Sequence, residues 1–144
     1  KDISKAGIDK INKQSEQQGL SIQTEVRDSR TLKLDRNFDI IVSTFMLHHL
    51  SYKEALRLIK YLQDHTNIQG LNIITTFTKD GDFYQKNPET NNFFPDKNEL
   101  RNLYHNWEIL EYEEIAGKAF TKRIDGSPMI NISAKLLARK PTEK

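Results

Sequence analysis

The order of predicted elements along these 144 residues indicates an α/β protein built around a mixed sheet. A strand, a helix and a strand follow one another over residues 38–77, which is the pattern of a parallel βαβ unit with a right-handed crossover. Two β-rich segments, 107–114 and 129–139, are joined by a loop with Gly117 and Gly126 and predict an antiparallel hairpin. The expected sheet is therefore mostly parallel, with an antiparallel hairpin at its C-terminal end.

A helix and a strand are predicted in the first 26 residues. Ser4 can cap a helix over residues 5–18, and Gly19 provides its stop. Residues 20–26 alternate apolar and polar side chains, which is typical of a strand with one buried face.

The central βαβ unit has the clearest local signals. The segment 38–43 is largely apolar and β-branched, which suits an interior parallel strand covered on both faces. Ser51 and Glu54 have the spacing of a capping box before a helix with apolar residues at helical intervals. Gly70 ends the connection, and residues 71–77 form the next predicted strand.

The part of the chain between this unit and the hairpin is expected to be mostly irregular. Residues 79–95 are polar and rich in Asn, Gly and Pro, which predicts a long loop. Asp96 is expected to cap a short helix, and residues 140–144 are expected to form a frayed tail.

Composition excludes several classes of function. Lys plus Arg number 22 against 20 for Asp plus Glu, so the net charge of +2 gives no reason to expect a nucleic-acid or membrane partner. The chain has no cysteine, which excludes disulfides, thiolate catalysis and cysteine-ligated zinc. No apolar run approaches the length of a membrane span, and we expect a cytoplasmic protein.

Several short motifs follow one another in a characteristic order. They are Thr24-Glu25-Val26-Arg27-Asp28, Phe38-Asp39-Ile40-Ile41-Val42-Ser43-Thr44, Leu47-His48-His49-Leu50, Gln69-Gly70-Leu71-Asn72-Ile73-Ile74, Asn98-Glu99-Leu100-Arg101 through Trp107-Glu108 and Tyr112, and Leu136-Leu137-Ala138-Arg139-Lys140. Their order and spacing resemble the class I S-adenosylmethionine-dependent methyltransferases, with most similarity to the bacterial tellurite-resistance (TehB-type) methyltransferases. The resemblance implies a Rossmann-like sheet in a single methyltransferase domain over residues 1–144. It also implies S-adenosyl-L-methionine as the cofactor and tellurite or another small molecule as the methyl acceptor.

The resemblance also implies where the cofactor binds. Asp2 stands where the family has an acidic residue that binds the ribose hydroxyls, and Asp28, followed by Ser29, stands where an acidic residue holds the adenine. Ser43, Thr44 and Phe45 follow the strand past which the methionine part of the cofactor runs in the family. The alternative for Asp28 is an ordinary surface turn, and for the hydroxyls a simple strand end.

A pocket for the methyl acceptor is predicted from aromatic and basic side chains. His48 can line its wall, and the aromatic residues Phe83, Tyr84, Phe93, Phe94 and Tyr104 can either roof it or serve ordinary packing. The family's His-Arg pair is replaced here by Phe120 and Thr121, and the neighbouring Lys122 and Arg123 can supply charge for an oxyanion. No catalytic residue is identified, and the adjacent His48 and His49 lack the spacing of metal ligands.

The sequence departs from the family in lacking its Gly-rich loop, and this difference leaves two functional hypotheses open. The six glycines include no G-x-G pair, and the family's first strand, its Gly-rich loop and most of its second strand have no counterpart here. The expected sheet therefore lacks its first strands, which a longer protein or another chain could supply, or which the remaining strands could replace by closing up. The first hypothesis is a methyltransferase. The alternative is a non-catalytic methyltransferase-like remnant that binds a partner through its open sheet edge or covers that edge in a homo-oligomer.

Overall fold

The computed structural model describes residues 1–142 and divides into two compact units, residues 1–35 and a second unit that begins at Arg36. The first unit contains helix α1 (Lys5–Gln17) and a single 3-10 turn, Ser29–Thr31. The Ser4 hydroxyl accepts a hydrogen bond from the Gly7 amide at 3.1 Å, and Gly19 has a φ of +65° just after the helix. The predicted helix, its cap and its stop are confirmed.

The strand predicted over residues 20–26 is wrong. Leu20, Ile22 and Val26 are all exposed, and the described structure pairs this segment through one parallel bridge, between Val26 and Asp2. A strand needs hydrogen-bonding partners along its length, and here a single residue supplies them. The alternating pattern is present in the sequence, but residues 1–35 do not bury either face of it.

Four strands of the second unit form one sheet. They are β1 (Phe38–Thr44), β2 (Thr66–Phe77), β3 (Glu108–Lys122) and β4 (Pro128–Arg139), in the spatial order β1-β2-β4-β3. The pair β1–β2 is parallel, and the pairs β2–β4 and β3–β4 are antiparallel. The C-terminal hairpin is confirmed, although Gly117, expected in its loop, lies within β3 and is aligned with Asn131. Likewise, Gly70 does not end the connection before β2 but lies inside that strand. The sheet is not mostly parallel, because β4 lies between β2 and β3 and both of its pairings are antiparallel.

Helix α2 (Tyr52–Asp64) covers part of this sheet and contacts β2. Its predicted capping box is confirmed: the Ser51 hydroxyl accepts from the Glu54 amide at 3.3 Å, and the Ser51 amide donates to the Glu54 carboxylate at 2.9 Å. The core of this unit consists of buried apolar side chains from the helix and from the sheet, including Leu58, Ile59, Leu62, Ile74, Ala134, Leu136 and Ala138. These positions lie at helical spacing on α2 and at alternate residues on the strands, as burial of one face requires.

Strand β1 lies at the edge of the described sheet, contrary to the prediction of an interior strand covered on both faces. It pairs with β2 on one side, and the side chains of Ile40 and Val42 are 56% and 58% exposed. An apolar, β-branched run predicts a strand but does not specify what covers each of its faces.

The connection between β2 and β3 contains two short helices, α3 (Asp82–Gln85) and α4 (Glu99–Asn102). Asp96 does not cap the second one. Asn98 precedes α4 with a φ of +62°, while the Asp96 carboxylate accepts from the Lys79 ammonium at 3.0 Å. The Asp96 side chain, which was expected to cap the helix, instead forms an ion pair with Lys79.

The first residue of the C-terminal tail, Lys140, is held by hydrogen bonds. The Lys140 ammonium donates to the carbonyls of Gln63 at 2.9 Å and Thr66 at 2.8 Å, and its amide donates to Gly70 at 2.9 Å. The predicted fraying is therefore wrong at Lys140, and its last part, at residues 143 and 144, lies outside the described residues. No helix within residues 1–142 is long and apolar enough to cross a membrane.

Candidate active site

The carboxyl ends of β1 and β2 meet at one edge of the sheet. Thr44 is aligned with Thr75, and the Phe45 amide donates to the Thr75 carbonyl at 2.8 Å. Parallel strands of α/β proteins bind ligands at this edge. Ser43, Thr44 and Phe45, predicted from the family resemblance, therefore lie at the edge where a cofactor is expected.

Two features of this edge are unusual for a purely structural element. Phe45 has a φ of +51°, a left-handed conformation that is uncommon for an aromatic residue, and its side chain is 44% exposed. The Ser43 hydroxyl is buried with no hydrogen-bond partner. Strained backbone and unsatisfied polar atoms are more frequent at functional sites than elsewhere.

An aromatic cluster covers this edge, and we define it by the rings of Phe45, His48, Phe77, Phe83 and Phe94. Phe77 lies 4.8 Å from Phe45 and 4.9 Å from His48, measured between ring centroids. Phe83 and Phe94, from the long connection, lie 5.6 Å and 5.9 Å from His48. Three separate stretches of chain thus place aromatic rings around one histidine.

His48 is the one ring of this cluster that carries hydrogen-bonding nitrogens. Its side chain is 5% exposed, and its Nδ1 atom has no partner, which costs about 1–3 kcal/mol for a buried polar group. Burial lowers the pKa of His48 to about 4, and the charge of the adjacent His49 contributes in the same direction. The imidazole is therefore neutral at pH 7. Within residues 1–142 no group of three or more His, Asp or Glu side chains could hold a metal ion.

The long connection is fastened to the hairpin by Asp82. Its carboxylate accepts from the Ile130 amide at 2.6 Å and from Arg123 Nε and Nη2 at 2.9 and 2.6 Å. These donors, the Ile130 amide first, hold the pKa of Asp82 below its usual range. The Phe83 amide donates to Asn131 Oδ1 at 2.9 Å, so Phe83 is fixed at its backbone as it reaches the cluster.

The predicted acceptor-pocket residues are only partly brought together. The rings of His48 and Phe83 contact each other. The Tyr84 ring contacts Phe94 of the same cluster, with 5.3 Å between the two ring centroids. Arg123 lies beside this segment but is paired with Asp82, and Lys122 is an exposed residue at the end of β3. Two further aromatic residues pack elsewhere: Phe93 lies against Tyr52, and Tyr104 lies against Trp107.

The acidic candidates of residues 1–35 lie close together at the single bridge of that unit. The Arg27 amide donates to the Asp2 carbonyl at 2.8 Å, and Asp2 Oδ1 accepts from the Ser4 amide at 2.7 Å. Asp28 caps the turn that begins at Ser29, and its carboxylate accepts from Arg30 Nη2 at 2.6 Å.

Hydrogen bonds from the Arg30 side chain, followed by that from its amide, lower the pKa of Asp28. Asp28 is thus an ionised acceptor. The turn expected as its alternative role is present, and its carboxylate is already shared with Arg30.

Two residues of the site were not singled out from the sequence. Phe77 is the last residue of the predicted strand 71–77, and its position at the carboxyl edge is a signal that could have identified it. Asp82 follows Gly81 inside a polar loop, and its partners Arg123 and Ile130 lie more than 40 positions further along the chain. No local pattern marks such a contact.

Comparison with known proteins gives consistent matches. A family model described as tellurite resistance protein TehB matches residues 1–133. Over 130 residues the chain is 32% identical to a Haemophilus influenzae (strain 10810) protein named probable S-adenosyl-L-methionine-dependent methyltransferase TehB, covering 90% of this chain and 45% of that protein. The chain therefore spans about half the length of the curated relatives it matches.

Solved structures give the same result at the level of the fold. The crystal structure of TehB from Haemophilus influenzae matches with a TM-score of 0.81 and 30% identity, over 95% of this chain and 47% of that one. The N-methyltransferase NodS from Bradyrhizobium japonicum WM9, in complex with S-adenosyl-L-homocysteine, matches with a TM-score of 0.71 and 14% identity, over 98% and 65% of the two chains. At 14% identity the NodS match concerns the fold alone.

Proposed function

This chain belongs to the tellurite resistance protein TehB family and has the fold of class I methyltransferases, and on that premise we propose that it acts in an S-adenosylmethionine-dependent methyl transfer to a small acceptor. Tellurite is the acceptor that the family name suggests. The observation that carries the proposal is the aromatic cluster at the carboxyl edge of β1 and β2, beside the strained Phe45.

Each of the two units, taken by itself, offers residues that suit a part of the cofactor. The unpaired hydroxyl of Ser43 and the exposed ring of Phe45, with Thr44 between them, can hold the methionine part. In residues 1–35, Asp2 and the turn of Asp28 and Ser29 can hold the ribose and the adenine. A group that donates to the Asp28 carboxylate would share it with Arg30 or displace that guanidinium.

The chemistry requires positioning more than acid–base catalysis. The bound cofactor supplies a methyl group on a positively charged sulfur, and the acceptor must approach in line with the bond that breaks. The rings of Phe77, Phe83 and Phe94 can exclude water from this path, since competing water lowers the yield of transfer. A soft anionic acceptor needs no base, and the motifs accordingly identify no essential acid or base.

The acceptor pocket is proposed on the side of the long connection. His48, Phe83 and Tyr84 form its wall, and Lys122 and Arg123 stand at the hairpin end. The Asp82 carboxylate already forms an ion pair with the Arg123 guanidinium. Arg123 is therefore better suited to holding Asp82 and the adjacent Phe83 in position than to binding an oxyanion.

The alternative from the sequence, a non-catalytic binding or oligomerisation module, is not favoured, because the Haemophilus influenzae relative is named a probable methyltransferase. A homo-oligomer and a cytoplasmic location stay proposals. The exposed Ile40 and Val42 of the edge strand β1 are the observation that supports self-association.

We expect the 144-residue chain, tested by itself, to bind S-adenosylmethionine with a dissociation constant of about 1 mM or weaker. In the family a Gly-rich loop brings backbone amides to the carboxypropyl end of the cofactor, and these residues contain no G-x-G pair. Calorimetric titration measures the affinity directly. A micromolar dissociation constant would show that another element of this chain does the work of that loop.

In a chain to which the family's first strands and Gly-rich loop have been restored, we expect Asp28→Ala to weaken cofactor binding more than His49→Ala does. Loss of one hydrogen bond to the adenine costs about 0.5–1.5 kcal/mol, a few-fold to roughly tenfold in affinity. His49 contacts the His48 ring at 4.1 Å, so its loss should alter stability with little change in affinity.

Titration with S-adenosyl-L-homocysteine and parallel thermal melts separate these two effects. Arg30→Gln is the matched control, because it removes the ion pair at Asp28 but keeps the carboxylate, and it should retain affinity. The adenine placement is wrong if affinity is unchanged in Asp28→Ala and reduced in His49→Ala.

A further inference from the structure

The Nδ1 atom of His48 is a buried polar atom of the second unit that has no hydrogen-bond partner. In the described structure three buried side-chain atoms lack a hydrogen-bond partner, and two of them, Ser43 Oγ and His48 Nδ1, belong to the site edge. Native structures satisfy nearly all buried polar groups, and the exceptions are often functional. A bound cofactor would give the Ser43 hydroxyl a hydrogen-bond partner in the proposed site. The proposed cofactor site gives no partner to the His48 nitrogen.

The surroundings of this nitrogen select a particular kind of ligand. The rings of Phe77, Phe83 and Phe94 lie within 6 Å of the imidazole, measured between ring centroids, so its surroundings are largely apolar. The imidazole itself is neutral at pH 7, because burial lowers its pKa to about 4. The lining formed by these rings and by the neutral imidazole is therefore apolar and uncharged, which suits an uncharged acceptor.

A neutral group that donates a hydrogen bond fits the same surroundings. Nδ1 without a hydrogen is an acceptor, which requires the imidazole tautomer that carries its proton on Nε2. Sulfur and heavier chalcogens are polarizable and make favourable contacts with aromatic rings. A thiol, or the equivalent chalcogen hydride, combines both properties in one small nucleophile.

We propose that His48 Nδ1 accepts the hydrogen of a neutral thiol-type methyl acceptor, X–H, and takes its proton when the methyl group is transferred. This inference rests on the proposed methyl transfer and names the class of its acceptor. His48 is then the residue that receives the proton, and Phe77, Phe83 and Phe94 hold the chalcogen.

The step balances without an oxidant or a reductant. A lone pair of X forms the new bond to the methyl carbon, and the bond between that carbon and the positive sulfur breaks, leaving its electron pair on the sulfur. The X–H proton moves to Nδ1, giving an imidazolium and a neutral methylated product. A weakly basic imidazole is sufficient, because the protonated, methylated chalcogen is a far stronger acid than imidazolium.

The first test uses the ring nitrogen resonances of the 144-residue chain labelled with ¹⁵N-histidine. We expect ethanethiol to shift the Nδ1 resonance of His48 in the direction of hydrogen-bond formation, while dimethyl sulfide, which has no X–H, leaves it in place. Assignment uses His48→Asn and His49→Asn. Equal responses to the two compounds, or none to either, would overturn the proposal.

The second test measures methyl transfer by the full-length native protein to ethanethiol, to ethanol and to tellurite. We expect transfer to ethanethiol with a kcat/KM lowered by about 100-fold in His48→Phe, the size typical for loss of a proton-accepting group. His48→Asn keeps an acceptor oxygen near the Nδ1 position but cannot hold the proton. It should therefore keep KM and lose kcat.

The control is His49→Asn, which changes the neighbouring exposed histidine and should leave both parameters unchanged. If His48→Phe does not fold, as thermal melts would show, His48→Asn and the resonance measurement decide the outcome. Transfer to tellurite or ethanol but not to ethanethiol would contradict this inference and leave the methyltransferase proposal standing. Intact cofactor binding with no transfer to any of the three acceptors would contradict both.

Discussion

Gly70→Ala is expected to destabilise the protein by about 2–4 kcal/mol. A Cβ atom at this position would lie 2.8 Å from the Asp39 carbonyl oxygen and 2.9 Å from that of Asn67, both backbone atoms that cannot rotate away. The clash falls at the start of the parallel pair β1–β2, where the register shifts between Phe38 and Ile40. This is the amino end of the pair, away from the carboxyl edge that carries the site, so we expect the variant to weaken the β1–β2 pairing rather than to change the site directly.

Urea unfolding followed by circular dichroism measures the loss in free energy of unfolding. Gly117→Ala is the matched control, since a Cβ at Gly117 meets nothing within 4 Å, and its free energy of unfolding should change by less than about 0.5 kcal/mol. If the two alanine variants are equally stable, the close packing described at Gly70 is incorrect.

Lowering the pH from 7 to 5 is expected to reduce the free energy of unfolding by about 2 kcal/mol through His48 alone. The pKa of His48 is lowered from its ordinary value of 6.5 to about 4 in the folded protein. The unfolded chain therefore binds more protons than the folded one between these values, so stability rises with pH in this window and falls on acidification. The titratable group facing His48 is His49, whose charge acts in the same direction.

Urea unfolding at pH 7, 6 and 5 tests this dependence, and His48→Phe should flatten it. The pKa values of Glu25, Asp28, Asp82 and Asp125 are lowered from ordinary values of 4.5 and 3.8, so their contributions are lost at lower pH. The interval between pH 7 and 5 thus reports chiefly on the histidine. An unchanged pH dependence in His48→Phe would mean that this imidazole is not desolvated in the folded state.

The pH dependence of stability and the nitrogen resonances test different parts of the proposed mechanism. A neutral His48 at pH 7 is the state in which Nδ1 can accept a hydrogen bond, and the stability measurement tests that state without any acceptor or cofactor present. The nitrogen resonances then test whether a thiol uses it. Failure of the first result would remove the electrostatic argument for a neutral acceptor, whatever the outcome of the second.

Much of the site was predictable from short segments of sequence. Ser43, Thr44, Phe45 and His48 lie at or just after the end of a strand that begins with an apolar run. The edge at which they lie follows from the direction of that strand. The role of Phe77 follows from the same logic one strand later. The ion pair between Asp82 and Arg123 could not be predicted in this way. It joins the long connection to the hairpin, and no sequence pattern links two residues so far apart in the chain.

The sequence by itself determined the elements whose signals are local. The Ser4 cap, the Ser51–Glu54 capping box and the C-terminal hairpin depend on hydrogen bonds between residues that are near in the chain, so short patterns specify them. The tertiary structure alone decided that residues 20–26 do not pair as a strand and that β1 exposes Ile40 and Val42. It also decided that β4 lies between β2 and β3 and that Nδ1 of His48 is left without a partner. Strand pairing and burial depend on which distant segments pack beside a residue. An alternating or apolar pattern favours a strand, but it does not determine which segment pairs with it or covers it.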